Sequence, residues 1–248
     1  MEHTPPLLVL KLGGSVITDK HSPMTVDEDA LERCARAIQS IEGDLVLVHG
    51  AGSFGHHYAD RHGVTVTAGS HDPQAIRDIH RSMTELNEVV LEALVDHDVP
   101  AITAHPHSVA SRDAAGELAL PTATIDRMLE EGFVPVLYGD AITQEGKGIT
   151  VISGDEIVVS LSRDLEAGRV GLCSTVPGVL NEQGEVIDRI EAFDDVASAL
   201  GESDATDVTG GMAAKVRALL ELGAPAFVFG PAELGAFLSG EDAGTRIE

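Results

Sequence analysis

Positively charged residues are scarce in this chain of 248 residues, which has 16 Lys+Arg against 41 Asp+Glu and a formal net charge of −25. Nucleic acids and anionic membranes are bound mainly by clusters of lysine and arginine, so we expect neither as a partner. Only four of these cations are lysines, and 12 are arginines. Such acidity predicts a halophilic protein, because concentrated salt screens the repulsion between surface carboxylates.

Tryptophan is absent and cysteine nearly so. Cys34 and Cys173 are too few for a disulfide framework, and we predict that both are inert thiols of the core. The longest apolar runs, such as Phe133–Tyr138, are far shorter than the ~20 residues that a bilayer-spanning helix needs. Residues Met1–Pro6 have neither a basic start nor an apolar signal stretch. We therefore expect a soluble, cytoplasmic protein with a single domain over residues 1–248.

Short, continuously apolar runs recur along the chain, and most of them end in glycine. Continuous rather than alternating hydrophobicity predicts strands that are covered on both faces, as in a parallel sheet. The runs are Leu7–Leu12, Leu45–Val48, Phe133–Tyr138, Ile149–Ile152, Val170–Ser174 and Ala226–Phe229, with Ala101–Ala104 and Thr245–Ile247 as weaker candidates.

Helical patterns lie between these runs. Thr25 and Glu28 have the spacing of a capping box, and Pro73 opens a longer amphipathic pattern. Asp155 is a candidate N-cap for a third helix, and a fourth is predicted over Met212–Leu222. The alternation of strands and helices predicts a three-layer αβα sandwich around a mainly parallel open sheet. In such a fold the ligand binds at the carboxyl ends of the strands, where the glycines lie.

Three of the four lysines lie in or beside glycine-rich motifs. Lys11 ends the first predicted strand and precedes Gly13 and Gly14, whose backbone N–H groups can turn toward a phosphate. The segment matches neither the Walker A pattern nor the dinucleotide fingerprint, and a tight turn with a lysine that reaches solvent is the structural alternative. Lys20 follows closely, and either swings over a reaction centre or pairs with Asp19.

Lys215 lies in the first turns of the fourth predicted helix, after Gly210 and Gly211. A helix N-terminus disfavours a cation, so a bound anion should compensate the lysine. A phosphate there would satisfy both the exposed N–H groups and Lys215, whereas the alternative is a solvated side chain. Asp155 is either an N-cap alone or a carboxylate that holds lysine ammonium groups in register.

A second glycine-rich segment, His49–His57, contains several histidines. No partner cysteine and no H-E-x-x-H spacing accompany His49, His56, His57 and His62, so we predict no metal site among them. A phosphate-binding His56 fits better, because an imidazole can donate a hydrogen bond to an anionic oxygen at neutral pH.

Six segments together resemble the isopentenyl phosphate kinases of the amino acid kinase superfamily. They span nearly the whole chain and are Lys11–Lys20, His49–His56, His80–Met83, Tyr138–Asp140, Ser153–Asp155 and Asp207–Lys215. The resemblance implies an amino acid kinase-like fold that is usually a homodimer. It also implies a transferase of isoprene biosynthesis that uses ATP and Mg²⁺ and moves the γ-phosphate onto isopentenyl phosphate.

The resemblance further implies roles for individual residues. The implied ATP-binding set is Lys11, Leu12, Gly13, Gly14, Ser15, Gly52, Gly211 and Lys215. Lys20 would stabilise the transferring phosphoryl group, and Asp155 would orient Lys11 and Lys215. The acceptor phosphate would be held by His56 and by the backbone at Ala51 and Gly154. The implied catalytic set is thus Lys11, Lys20, His56, Asp155 and Lys215.

The sequence departs from the family pattern at two places. Ser174–Gly178 reads S-T-V-P-G where many relatives carry T-D-V-D-G, so different contacts to the nucleotide base are expected. Ala51 stands where glycine is common. The alternative enzymes are other kinases of this fold that act on a phosphonate, UMP, a carboxylate or a carbamate, and His56 argues against the last two. A non-catalytic nucleotide-binding protein is the remaining alternative, and the retained lysines argue against it.

Overall fold

The computed structural model describes residues 5–200 and 211–248. The strands of this part of the chain are β1 (Leu8–Leu12), β2 (Leu45–His49), β3 (Ala101–Thr103), β4 (Ser111–Arg112), β5 (Leu118–Ala119), β6 (Val134–Tyr138), β7 (Asp140–Gln144), β8 (Gly148–Ile152), β9 (Arg169–Cys173), β10 (Arg189–Ile190), β11 (Ala226–Phe229) and β12 (Thr245–Ile247). The α-helices are α1 (Gly14–Ile17), α2 (Glu28–Ile38), α3 (Gly52–His62), α4 (Pro73–Val95), α5 (Pro106–Val109), α6 (Ala123–Glu130), α7 (Gly154–Asp164), α8 (Ala197–Leu200), α9 (Gly211–Leu220) and α10 (Leu234–Leu238).

Eight strands form the main sheet, in the order β10-β12-β11-β9-β1-β2-β6-β3. Neighbouring strands run parallel except for the antiparallel pair β11 and β12. The predicted mainly parallel sheet is therefore confirmed. The carboxyl ends of β9, β1, β2 and β6 lie side by side and define the edge where the glycine-rich segments begin.

Side chains of the central strand β1 point alternately to the two faces of the main sheet, and helices cover both faces. Leu8, Leu10 and Leu12 pack on one face of the sheet in a cluster with α2 and α4, whereas Val9 packs on the other face in a cluster with α7 and α9. A strand residue points to the opposite face from its neighbour, so β1 is buried on both sides. The predicted three-layer αβα sandwich is confirmed.

A second sheet, with the order β5-β4-β7-β8, was not predicted. The sequence analysis assigned Ile149–Ile152 to the parallel sheet, and this is wrong, because β8 pairs antiparallel with β7 in a hairpin. Gly146 and Gly148 have positive φ angles of 76° and 82°, which glycine adopts without strain in such a turn. A local apolar cluster between the hairpin and helices α3 and α4 anchors this sheet above the main one.

Two of the predicted helix caps are corrected. Asp27, not Thr25, caps α2 by accepting a hydrogen bond from the Ala30 backbone N–H. Ser153, not Asp155, caps α7 in a capping box with Glu156, so Asp155 lies inside the first turn. The Asp155 carboxylate therefore does not cap the N-terminus of its own helix. The predicted start of α4 is confirmed, because Asp72 caps it and Pro73 is its first residue.

None of the described helices is both long enough and apolar enough to cross a membrane.

Candidate functional site

A cleft runs along the carboxyl ends of the four central strands of the main sheet. Its floor is formed by residues that directly follow those strands, namely Gly13, Gly50, Gly139 and Ser174. This is the edge at which parallel α/β sheets bind their ligands. The glycine-rich segments thus meet in one cleft at this edge, and ligand binding there stays a prediction.

Two lysines meet a single carboxylate inside the cleft. Lys11 Nζ lies 2.6 Å from Asp155 Oδ1, and Lys215 Nζ lies 3.6 Å from Asp155 Oδ2. The three side chains are 12%, 23% and 15% exposed for Lys11, Lys215 and Asp155, so water screens the pairs only partly. Burial opposes ionisation of Asp155, but the two ammonium groups outweigh it and hold the pKa of its carboxyl below the usual 3.8. Asp155 thus fixes two positive charges side by side.

Three helices of ten or eleven residues begin at this cleft: α3 at Gly52, α7 at Gly154 and α9 at Gly211. The first backbone N–H groups of a helix have no carbonyl partner one turn earlier and carry partial positive charge. Side chains accept from two of them here, since Ser53 N–H donates to Thr18 Oγ1 and Glu156 N–H donates to Ser153 Oγ. Together with Lys11 and Lys215 the three helix N-termini make a site suited to a polyanion such as a chain of phosphates.

The glycines of the cleft let its backbone segments approach one another closely. A Cβ on Gly14 would collide with the backbone nitrogen of Gly52. A Cβ on Gly52 would collide with Thr18 Oγ1, and Gly52 also has a positive φ of 50°. Larger residues would therefore separate the loop after β1 from the start of α3.

His56 lines the cleft from α3, one turn into the helix, and its side chain is exposed. Beyond His56 the cleft becomes apolar. The walls there are formed by Ala59 of α3, Ile79 and Met83 of α4, and Val151 of β8. One end of the cleft therefore offers cations and backbone N–H groups, and the other offers a hydrocarbon surface beside a histidine.

Not every predicted site residue lies in the cleft. The predicted residues that do line it are Lys11, Gly13, Gly14, Ser15, Ala51, Gly52, His56, Gly154, Asp155 and Lys215. Leu12 does not, because its side chain is buried in the core, and Gly211 adjoins the lining residue Met212. Gly210, which precedes the fourth predicted helix, lies outside the described residues.

Lys20 is exposed and lies outside the residues that line the cleft. Its loop is nevertheless attached to the start of α3. Thr18 Oγ1 accepts a hydrogen bond from the Ser53 N–H, and the Met24 N–H donates to the Ser53 carbonyl. In the described residues Lys20 forms no ion pair with Asp19, whose carboxylate accepts instead from the His21 N–H. Its assignment to the reaction centre stays a prediction.

Several residues of the site were missed from the sequence. Asp140 lines the cleft, its side chain is completely buried, and its Oδ2 lies 2.7 Å from His80 Nδ1. The apolar residues Ile79, Met83 and Val151 were assigned to helix and strand patterns but were not predicted as site residues. The segments around His80 and Asp140 did support the family resemblance, but their 60-residue separation gave no signal that they meet.

His49 belongs to the core rather than to the cleft. It is completely buried, its ring stacks on Tyr138, and burial lowers its pKa to about 4. It is therefore a neutral packing residue that supports the glycine segment after β2. None of His49, His56, His57 and His62 belongs to the one group of potential metal ligands found in the described residues, which is His80, His107 and Asp140.

Known proteins resemble this chain over nearly its full length. Residues 6–225 match the amino acid kinase family. An isopentenyl phosphate kinase of Haloferax volcanii is 58% identical over 243 residues, which cover 97% of this chain and 98% of that protein. One from Methanocaldococcus jannaschii is 32% identical, with 98% of each chain covered. A crystal structure of an isopentenyl phosphate kinase superimposes with a TM-score of 0.82 at 31% identity, covering 98% of this chain and 100% of that one.

Proposed function

We propose that this chain transfers the γ-phosphoryl group of ATP to isopentenyl phosphate. The chain belongs to the amino acid kinase family and within it to the isopentenyl phosphate kinases. The products are isopentenyl diphosphate and ADP. The observation that carries the proposal is the pairing of Lys11 and Lys215 through Asp155, at three helix N-termini, in a cleft whose other end is apolar.

Phosphoryl transfer needs alignment and charge neutralisation more than covalent chemistry. Lys11 and Lys215 would neutralise oxygens of the ATP phosphates, and Asp155 would keep the two ammonium groups in place. The backbone at Gly13, Gly14, Ser15, Gly52 and Gly211 would hold the same phosphates. Since these groups are already in position before the reaction, they cost no reorganisation as charge moves in the transition state.

The acceptor would lie across the boundary between the polar and apolar parts of the cleft. His56, with the backbone at Ala51 and Gly154, would hold its phosphate, and Ile79 and Met83 would contact its hydrocarbon chain. The attacking oxygen of a phosphate monoester is already anionic at neutral pH. No strong general base is needed, so His56 is assigned the role of a positioning hydrogen-bond donor.

The Mg²⁺ ion would enter as part of the MgATP substrate. Asp155 is paired with both lysines, so its carboxylate is not available as a simple magnesium ligand. Mg²⁺ is commonly held by substrate phosphates and water with few protein ligands, and the nucleotide phosphates can supply its oxygen ligands here.

Replacing His56 with alanine tests the acceptor site. We expect KM for isopentenyl phosphate to rise by roughly 10-fold or more, with KM for ATP nearly unchanged, because only the acceptor phosphate loses a hydrogen-bond donor. Initial rates at varied concentrations of each substrate measure both values. His57→Ala is the matched control, since His57 is exposed on the same helix but does not line the cleft. Equal kinetics for the two variants would refute the assignment.

A coupled assay of ADP release tests the function itself. The acceptors are isopentenyl phosphate, dimethylallyl phosphate, UMP, aspartate and fosfomycin, each with ATP in molar salt. We expect a strong response with the isoprenoid phosphates. A strong response only with UMP or fosfomycin would assign another kinase activity of this fold. Absence of ADP with every acceptor would favour a non-catalytic nucleotide-binding protein.

We also propose a homodimer that forms along the edge strand β3. Ile102 of β3 and Phe133 beside it are 36% and 43% exposed, and Val95 at the end of α4 is 55% exposed. Within residues 5–200 and 211–248 no further strand pairs with the outer edge of β3, and an open strand edge with apolar neighbours favours pairing with a second copy. Light scattering after gel filtration should give twice the chain mass of 26.0 kDa. A wild-type monomer at micromolar concentration, or a dimer unchanged by Ile102→Asp, would refute this interface.

The acidity of the chain leads us to propose that its fold needs concentrated salt. A net charge of −25 destabilises a compact state by self-repulsion, and salt screens it. The melting temperature should therefore fall by about 10 °C or more when molar KCl is replaced by dilute buffer. Full folding and full activity in dilute buffer without added salt would contradict this.

A further inference from the structure

A second group of ionisable side chains lies beside the apolar end of the cleft. It comprises His80 on α4, His107 on α5 and Asp140 at the start of β7, and one donor atom from each residue lies within 4.8 Å of the others. The rings of His80 and His107 stack with their centroids 4.1 Å apart. The phosphoryl-transfer mechanism uses none of these three side chains. Two imidazoles facing a carboxylate are a donor set that suits a transition metal.

A hydrogen bond already fixes the tautomer of the His107 ring, as it does in many metal ligands. Its Nδ1 lies 2.6 Å from the backbone carbonyl of Ala141 and donates to it, which leaves the lone pair on Nε2. In metal sites the non-ligating ring nitrogen usually donates to such a carbonyl, and this bond fixes both the tautomer and the ring orientation. His107 Nε2 thus carries the lone pair, and because the His80 and His107 rings are stacked, a ring must rotate before both nitrogens can face one ion.

Asp140 is held rigidly while the two histidines remain accessible. The Asp140 side chain is completely buried, and its Oδ1 accepts a hydrogen bond from the Ala141 N–H at 2.7 Å. Its Oδ2 accepts from His80 Nδ1, and this bond raises the pKa of His80. His80 is 32% exposed and His107 is partly exposed, so an ion and its water ligands have a path to the buried carboxylate.

We propose that His80, His107 and Asp140 form a binding site for a divalent transition-metal ion of the Zn²⁺ or Co²⁺ class. The ion would be coordinated by His80 Nδ1, His107 Nε2 and Asp140 Oδ2, with water in the remaining positions, and would replace the proton shared by His80 and Asp140. Tetrahedral ligands at ~2.1 Å from a metal are about 3.4 Å apart. The donor atoms, which now lie within 4.8 Å of one another, must therefore close by up to about 1.4 Å, and His80 Nδ1 and Asp140 Oδ2, now 2.7 Å apart, must separate slightly.

This site is distinct from the phosphate-binding end of the cleft. Its ligands are nitrogen-rich, which Mg²⁺ avoids, whereas Lys11, Lys215 and Asp155 act on phosphates. Asp140 nevertheless lines the cleft beside Gly139 and Ile79. A bound ion would neutralise a carboxylate that faces the acceptor, and occupancy is therefore expected to change the acceptor KM rather than the ATP KM.

The test is a titration of untagged protein with Co²⁺ in molar KCl, followed by the visible d–d absorption of the ion. We expect saturation at one ion per chain, with the intense bands of four- or five-coordinate Co²⁺, and loss of these bands when Zn²⁺ is added. His107→Ala and His80→Ala should each weaken binding by roughly 10-fold or more. Melting curves without metal establish that the variants are folded.

His71→Ala is the matched control, because His71 is exposed and lies outside the cluster. It should bind Co²⁺ like the wild type. Only weak, octahedral Co²⁺ spectra, typical of surface carboxylates, would overturn the proposal, and so would tight binding that survives both His107→Ala and His80→Ala. The readout is metal binding, so the result does not depend on the kinase assignment.

Discussion

Replacing Lys20 with alanine is expected to lower kcat by roughly 10²–10³-fold, if its ammonium group acts mainly on the transition state. Lys20 is exposed, and it makes no hydrogen bond or ion pair in the part of the chain that the structure describes. Its loss should therefore change the free energy of unfolding by less than ~0.5 kcal/mol. A large loss of rate without a loss of stability would place this side chain over the reacting phosphoryl group during turnover.

Lys147→Ala is the control for this experiment, because it removes the same charge from another exposed lysine. Lys147 lies in the turn between β7 and β8 and donates to the Thr67 carbonyl, outside the cleft. Steady-state rates and thermal melting are measured for the wild type and both variants. We expect only one difference from the wild type, a lower kcat for Lys20→Ala. If both variants keep the wild-type kcat, Lys20 is not catalytic.

Replacing Asp155 with asparagine should affect both activity and stability. The amide keeps the shape of the side chain but leaves the Lys11 and Lys215 charges without their shared counter-ion. We expect kcat to fall by at least ~10²-fold, because the ammonium groups lose their fixed positions, and the free energy of unfolding to fall by about 1–3 kcal/mol. KM for ATP should change less than kcat, since both positive charges remain.

Denaturant unfolding and initial rates measure the two effects of Asp155→Asn. Asp60→Asn is the control, because Asp60 also lines the cleft but is exposed on α3. A variant with wild-type kcat would show that the pairing with the lysines is not needed for catalysis. A variant with wild-type stability but low kcat would restrict the role of Asp155 to the reaction.

The pH dependence of stability gives an independent check on Asp155. Its folded-state pKa lies below the usual 3.8, so the unfolded chain takes up a proton first as the pH falls. The stabilisation is therefore complete above that value and is lost as the pH falls through the lowered pKa. Over this acidic range the free energy of unfolding should fall more for the wild type than for Asp155→Asn. Near neutrality the difference in this free energy between the two proteins should be constant.

Local sequence patterns predicted the main sheet because its strands are covered on both faces. The predicted run Phe133–Tyr138 corresponds to β6 (Val134–Tyr138), and the short, continuously apolar runs that end in glycine indicated both the strands and the ligand edge. The hairpin β7–β8 was misassigned because an apolar strand gives no information on its pairing partner. The capping error at Asp155 arose because Ser153 and Asp155 are both good caps, and only the observed bonds distinguish them.

Long-range contacts limited the prediction of the site. Lys11 and Asp155 are 144 positions apart, and only the resemblance to a family connected them before the structure did. The group formed by His80, His107 and Asp140 had no such support. His80 and Asp140 were noted only within segments that support the family resemblance, and His107 was not singled out. The contact depends on how α4, α5 and β7 pack together.

The most direct measurement is ³¹P NMR of a reaction that contains this protein, MgATP and isopentenyl phosphate in molar salt. The account predicts that the phosphate monoester resonance disappears in step with the γ-phosphate of ATP. Two mutually coupled resonances of a diphosphate ester should replace it. One molecule of this ester should form for each molecule of ADP. Formation of ADP with inorganic phosphate, and with the monoester unchanged, would contradict the account, because water rather than a second phosphate would then be the acceptor.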